Sequence, residues 1–144
     1  RPGKTILSLL EETLIRTLNG EAGPTTLPDP ALLAEAGRRI ALLLPPGTVD
    51  LLPSTCALGG GSTPDETFPS FALEVSQGHT DALGGVDALQ VRLREGRIPL
   101  IALVRDGRLR IDLAALIRAE PGRLEADTAL VARLLSRALG VEEA

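Results

Sequence analysis

Few side chains in this sequence could take part in covalent or acid–base chemistry, and they do not form a complete set. Lys4 is the single lysine among 15 basic residues. A pyridoxal-phosphate Schiff base needs such an amine. Lys4, however, opens an amphipathic segment two residues after a proline, and no acidic partner for a pyridinium nitrogen can be placed around it. It reads as a solvated lysine at a helix start. His79 is the only histidine and sits in the polar run Gln77-Gly78-His79-Thr80-Asp81. A Ser-His-Asp hydrolase can be drawn through Ser62 on residue type alone; the simpler expectation is an exposed loop histidine. Cys56, beside Ala57 and Leu58, is expected to be a small buried hydrophobe and not a nucleophile. One histidine and one cysteine are too few for a zinc-type site, and the carboxylates show no calcium-loop spacing.

The most distinctive stretch is Pro53-Ser54-Thr55-Cys56-Ala57-Leu58-Gly59-Gly60-Gly61-Ser62-Thr63-Pro64, followed by Pro69-Ser70. Glycine is costly to order and has no side chain to pack, so such a run belongs where the backbone turns sharply or approaches another surface. It lacks the lysine and hydroxyl of a P-loop and the spacing of a dinucleotide fingerprint. It leads into Thr63-Pro64 and not into a helix start that would favour an anion. Arg105, Arg108 and Arg110 flank a hairpin signal and are expected on a solvated sheet face, with a docking patch as the alternative.

The whole chain bounds these readings. Its 144 residues suffice for one domain with its own core, and 44% of them are hydrophobic. No apolar run approaches the roughly 18 residues of a membrane span, and no signal-peptide pattern is evident. The net charge of −4 is a poor fit to a stand-alone nucleic-acid binder. A lone cysteine fits a reducing, cytoplasmic setting. Methionine is absent and the first residue is Arg1, which suggests a domain excised from a longer protein.

The elements follow from periodicity. Ile6, Leu7, Leu10, Leu14 and Leu18 predict a helix over residues 4–19, stopped at Asn19-Gly20. Asp29-Pro30 supplies a cap and an N1 proline for a second helix, with Leu32, Leu33, Ala36, Ile40 and Leu43 inward and Pro45-Pro46-Gly47 as its end. A first strand lies at Val49–Leu52 or Thr55–Leu58, and Phe71, Leu73 and Val75 alternate in a second. Val86, Leu89 and Leu93 mark a third helix ending near Gly96. Leu100–Val104 reads as a continuous apolar strand, joined by the Asp106-Gly107 turn to an alternating strand with Leu109, Ile111 and Leu113. A last helix covers residues 124–139, with Leu130, Leu134 and Ala138 on one face and Gly140 as its stop. The order predicts an α+β fold: an antiparallel or mixed four-stranded sheet with helices packed on one face.

Three stretches in register resemble the small C-terminal domain of bacterial L-seryl-tRNA(Sec) selenium transferases (selenocysteine synthases). Pro53 to Pro64 with Pro69-Ser70 is similar to the family pattern Pro-x-x-Ser-Gln-x-Gly-Gly-Gly-Ser/Ala-x-Pro, with Cys56-Ala57 in place of Ser-Gln. Arg1-Pro2-Gly3-Lys4-Thr5 through Glu11-Glu12-Thr13-Leu14 resembles the family's junction helix. Ile98-Pro99-Leu100-Ile101 through Asp106-Gly107-Arg108-Leu109 to Ile111-Asp112-Leu113 resembles its Asp-Gly-Arg-Leu hairpin, with Ala102-Leu103 where the family has Gly-Arg.

The resemblance implies a single small domain, residues 1–144, with residues 1–20 as junction, like that of aminotransferase-like (fold-type I) enzymes. The intact enzyme would use pyridoxal phosphate held by a lysine upstream of Arg1, eliminate the serine hydroxyl of seryl-tRNA(Sec), and add selenium from selenophosphate. This fragment alone would hold no cofactor, bear no catalytic residue and be inactive. The resemblance implies a substrate-binding role for Arg1, whose guanidinium suits a phosphate-like donor. Gly59, Gly60, Gly61 and Ser62 would form the interface loop to the large domain or a neighbouring subunit of a homo-oligomer. Two other readings compete: a same-fold lyase acting on a small amino acid or amino-sugar acid, and a free-standing interaction domain.

Overall fold

The computed structural model describes residues 3–20, 28–57, 67–120 and 122–141. Its centre is a four-stranded sheet, antiparallel throughout, which decides between the antiparallel and mixed alternatives. The elements are α1 (Lys4–Leu18), α2 (Pro30–Leu42), β1 (Val49–Ala57), β2 (Thr67–Val75), α3 (Gln77–Ala82), α4 (Val86–Glu95), β3 (Leu103–Arg105), β4 (Arg108–Asp112) and α5 (Leu124–Leu139), with spatial strand order β1-β2-β4-β3.

Local chemistry explains most boundaries. The Asp29 carboxylate accepts the Ala31 amide at 2.7 Å, and Pro30 occupies the first turn of α2 where its missing N–H costs nothing. Asp106 and Gly107 both take positive φ, 54° and 72°, as a two-residue turn matched to strand twist requires. Gly140 closes α5 in the left-handed conformation. β1 runs unbroken through Pro53, because an edge strand tolerates the lost donor.

The core lies between one sheet face and the helices. Leu33, Ala36 and Ile40 of α2 meet Leu73 and Val75 of β2, Leu109 and Ile111 of β4, and Val131 and Leu135 of α5. Gly37 lets α2 approach closely, since a Cβ there would collide with the Leu51 side chain and press on Leu113. Leu89 and Leu93 of α4 close one end.

Four expectations are corrected in detail. Leu43 stays 37% exposed and Leu44 is buried instead, because α2 stops at Leu42 and the chain turns. The Leu100–Val104 run is not one strand: only Leu103–Arg105 pair with β4, and the Leu100 amide donates to the Leu93 carbonyl, tying that stretch to α4. The polar run Gln77–Asp81 is a short helix and not a loop. The inward face of α5 centres on Val131, Leu135 and Leu139, with Leu130 and Leu134 at its margin.

Candidate functional site

Strand alternation gives the sheet a second face, and none of its residues belongs to the main core. It carries Asp50, Leu52, Ser54 and Cys56 from β1, Phe68, Ser70, Ala72 and Glu74 from β2, and Arg110 and Asp112 from β4. Two polar assemblies cross it. The Asp112 carboxylate accepts the Ser54 hydroxyl at 2.6 Å, the Ser70 hydroxyl at 2.7 Å and the Ala114 amide at 2.9 Å. One row away, Arg110 Nε meets Glu74 at 2.7 Å across a directly opposed pair. Both serine hydroxyls donate to a carboxylate, and no histidine joins them. Such a group ties three strands together and fixes the sheet; it is not a nucleophile–base pair.

The tie sits where the sheet narrows. β4 pairs with β2 only at Ala72–Glu74, and the Leu113 amide adds one bond to Phe71. Beyond that point β2 continues to Thr67 paired with β1 alone. This explains how Pro69 is accommodated inside a strand. The two-stranded arm bears Cys56 opposite Phe68 and ends at the pair Ala57↔Thr67. An apolar hollow of about 520 Å³ lies beside it, lined by Pro28, Pro30, Leu32, Phe68 and Pro69. Burial, and then the Asp112 charge, push the Cys56 thiol above its ordinary range. Cys56 is half-buried on the outward face, more accessible than a core hydrophobe.

Residues 58–66 join the two strand ends, so Gly59, Gly60, Gly61 and Ser62 lie outside the described residues, as does Arg1. Lys4 lies exposed in the first turn of α1. His79 is half-buried in the short helix α3, not in an exposed loop, with its Nδ1 2.8 Å from the Ser76 hydroxyl; Ser62, the serine of the hydrolase alternative, lies outside the described residues. Among the described residues no cluster of His, Cys, Asp or Glu could hold a metal ion, and no helix is long and apolar enough to cross a membrane.

α1 is unlike the other helices. Ile6, Leu7, Leu9, Leu10, Leu14, Ile15 and Leu18 are all 47–86% exposed. At 100° per residue these side chains cover roughly two thirds of the helix circumference. Ser8, Glu12 and Arg16 fill the remaining arc, with Glu12 and Arg16 paired at 2.8 Å. A 15-residue helix of this kind is marginal in water unless a partner covers it.

Two features escape sequence reading. Asp127, 3% exposed in the first turn of α5, accepts the backbone amide of Arg118 at 3.1 Å and its guanidinium at 2.6 Å. Arg92, Arg97, Arg133 and Arg137 converge on a cleft between α4 and α5. The i,i+4 spacing of Arg133 and Arg137 was the one available signal for the latter.

Comparison with known proteins adds the following. The family model described as L-seryl-tRNA selenium transferase matches residues 1–117, which include all three resembling stretches. The L-seryl-tRNA(Sec) selenium transferase of Escherichia fergusonii is 33% identical over 128 residues, 81% of this chain and 27% of the relative. Its counterpart in Serratia proteamaculans is 36% identical over 129 residues, again 81% and 27%. That of Hyphomonas neptunium is 36% identical over 96 residues, 65% of this chain and 20% of the relative. The chain thus spans 20–27% of the length of the curated relatives it matches.

Proposed function

The chain belongs to the L-seryl-tRNA selenium transferase family, and we propose that it forms the small C-terminal domain of such an enzyme, with residues 1–144 as one domain and residues 1–20 as its junction. The complete enzyme converts seryl-tRNA(Sec) to selenocysteinyl-tRNA(Sec) with selenophosphate, in the cytoplasm, using pyridoxal phosphate. The described residues do not fit that cofactor: the one lysine of the sequence is exposed at the start of α1, and among the described residues no hydrogen-bonded polar group surrounds it. The cofactor and its lysine belong to a large domain outside this chain, and the 144-residue chain alone is inactive.

The family match over residues 1–117 carries this reading. The unpartnered apolar surface of α1 supports it, because a helix so largely apolar needs a covering body. The hairpin arm supports it as well: the Ser54–Asp112–Ser70 tie stiffens the base of the two strands, β1 and β2, that flank the glycine run in the sequence. In this assignment α1 and the arm close over the cofactor cleft and help build a homo-oligomer. Gly59–Ser62 make the nearest backbone approach, and Arg1 pairs with the anionic selenium donor. The test is selenocysteinyl-tRNA(Sec) formation by the complete gene product, with Arg1→Ala compared. Turnover reduced about tenfold or more in the variant is expected. A complete product without a pyridoxal absorbance band or without selenium transfer contradicts the assignment.

A further inference from the structure

The cleft between α4 and α5, about 750 Å³ in volume, is walled by Arg92 and Arg97 on one side and Arg133 and Arg137 on the other. All four arginines are exposed, and among the described residues none makes an ion pair. Among the described residues Glu95 is the only carboxylate in the wall. The floor is apolar, with Leu93 and Leu100 buried beneath the guanidinium groups. Arg92 also donates to the Ala138 carbonyl at 3.4 Å, and among the described residues no carboxylate neutralises the four positive charges gathered at this cleft, so an anion there would relieve their mutual repulsion.

We infer that this cleft binds the phosphodiester backbone of RNA, and this rests on the selenium transferase reading for the presence of an RNA at all. The chemistry favours a repeated backbone over a small anion. Among the described residues no buried polar side chain lines the cleft to fix the orientation of a small ligand. Backbone contacts need only correctly spaced charge. Arg133 and Arg137 stand one turn apart on α5, about 6 Å along its axis, a step comparable to that between neighbouring phosphates of an RNA strand. Arginine forks also pair bidentately with phosphate oxygens. α5 lies beyond residues 1–117, the segment the family model matches, so the site is built partly from this chain's own C-terminal helix.

The test measures binding of bulk tRNA and of tRNA(Sec) to the complete gene product and to Arg133→Glu/Arg137→Glu, across a salt series. Arg105→Glu/Arg108→Glu, on the β3–β4 turn, controls for net charge; Arg133→Gln/Arg137→Gln serves if the reversal perturbs folding. The cleft variants are expected to bind either RNA at least about tenfold more weakly, with the slope of log affinity against log salt flatter by about 2. The turn variant stays within about twofold. Equal weakening in both charge-reversed variants, or none in the cleft variants, overturns the inference. Loss of bulk-tRNA binding in the cleft variants, with no preference of the parent for tRNA(Sec), upholds the cleft while counting against the selenium transferase assignment.

Discussion

α1 and α5 present nearly the same signal in sequence and opposite fates in structure. Both are amphipathic helices of similar length, 15 and 16 residues, with leucines at three- and four-residue spacing. α5 buries Val131, Ala132, Leu135, Ala138 and Leu139 against α2 and the sheet. α1 buries none of its seven large apolar side chains. Periodicity therefore specifies that a face must be covered, but not by what. α5 finds its cover inside this chain, and α1 finds none among the described residues.

The largest test of that contrast is a matched pair of truncations. Leu135→Ala, at a fully buried site, is expected to cost about 2–5 kcal/mol in a denaturant titration of the chain. Leu10→Ala in α1 should stay within about 0.5 kcal/mol in the same titration. Comparable losses would mean that α1 packs on the core.

Next in size is the anchor of α5. Asp127→Ala leaves the Arg118 amide and guanidinium without their carboxylate, and a loss of about 2–3 kcal/mol is expected, moderated because the arginine reaches solvent. An unchanged midpoint would show that the pair does not hold the helix start.

The glycine run proposed as an interface loop sharpens the contrast from the side of function. Gly60→Val should leave the melting of this chain within about 0.5 kcal/mol while lowering selenium transfer by the complete enzyme about tenfold or more. Equal loss of stability and activity would remove the loop from the interface.

The smallest effect concerns Cys56. Its thiol is raised chiefly by burial and secondarily by Asp112, so less thiolate is present at pH 8 than for a free cysteine, and alkylation should be slow there and quicken as pH rises. Asp112→Asn removes the repelling charge, lowers the thiol's titration point and should speed alkylation at pH 8 about twofold. A slower reaction in the variant would contradict the assigned cause.

Elements with local signals were legible in the sequence. The Asp29-Pro30 start of α2, the Asp106-Gly107 turn and the Leu124–Leu139 span of α5 each depend on residues within a few positions of one another. What failed depends on distant partners. The Leu100–Val104 run looks like a strand, but short β4 and the tie of Leu100 to α4 leave only three residues to pair. α3 has six residues, too few to show a helical period. The Asp112 tie joins residues 42 and 58 positions apart, and no spacing rule reveals it. For the site, sequence singled out the glycine loop and Arg1, which lie outside the described residues; it passed over the arginine cleft because the walls come from two helices that only the fold brings together.

Amide hydrogen exchange along α1, read in the 144-residue chain and in the complete gene product, tests the central claim most directly. The amides of Ile6 to Leu18 are expected to exchange near the unprotected rate in the chain alone and to be slowed by about a hundredfold or more in the complete protein, if the proposed large domain covers the helix. Equally fast exchange in both would contradict the assignment of α1 as the surface that joins this domain to the rest of a selenium transferase.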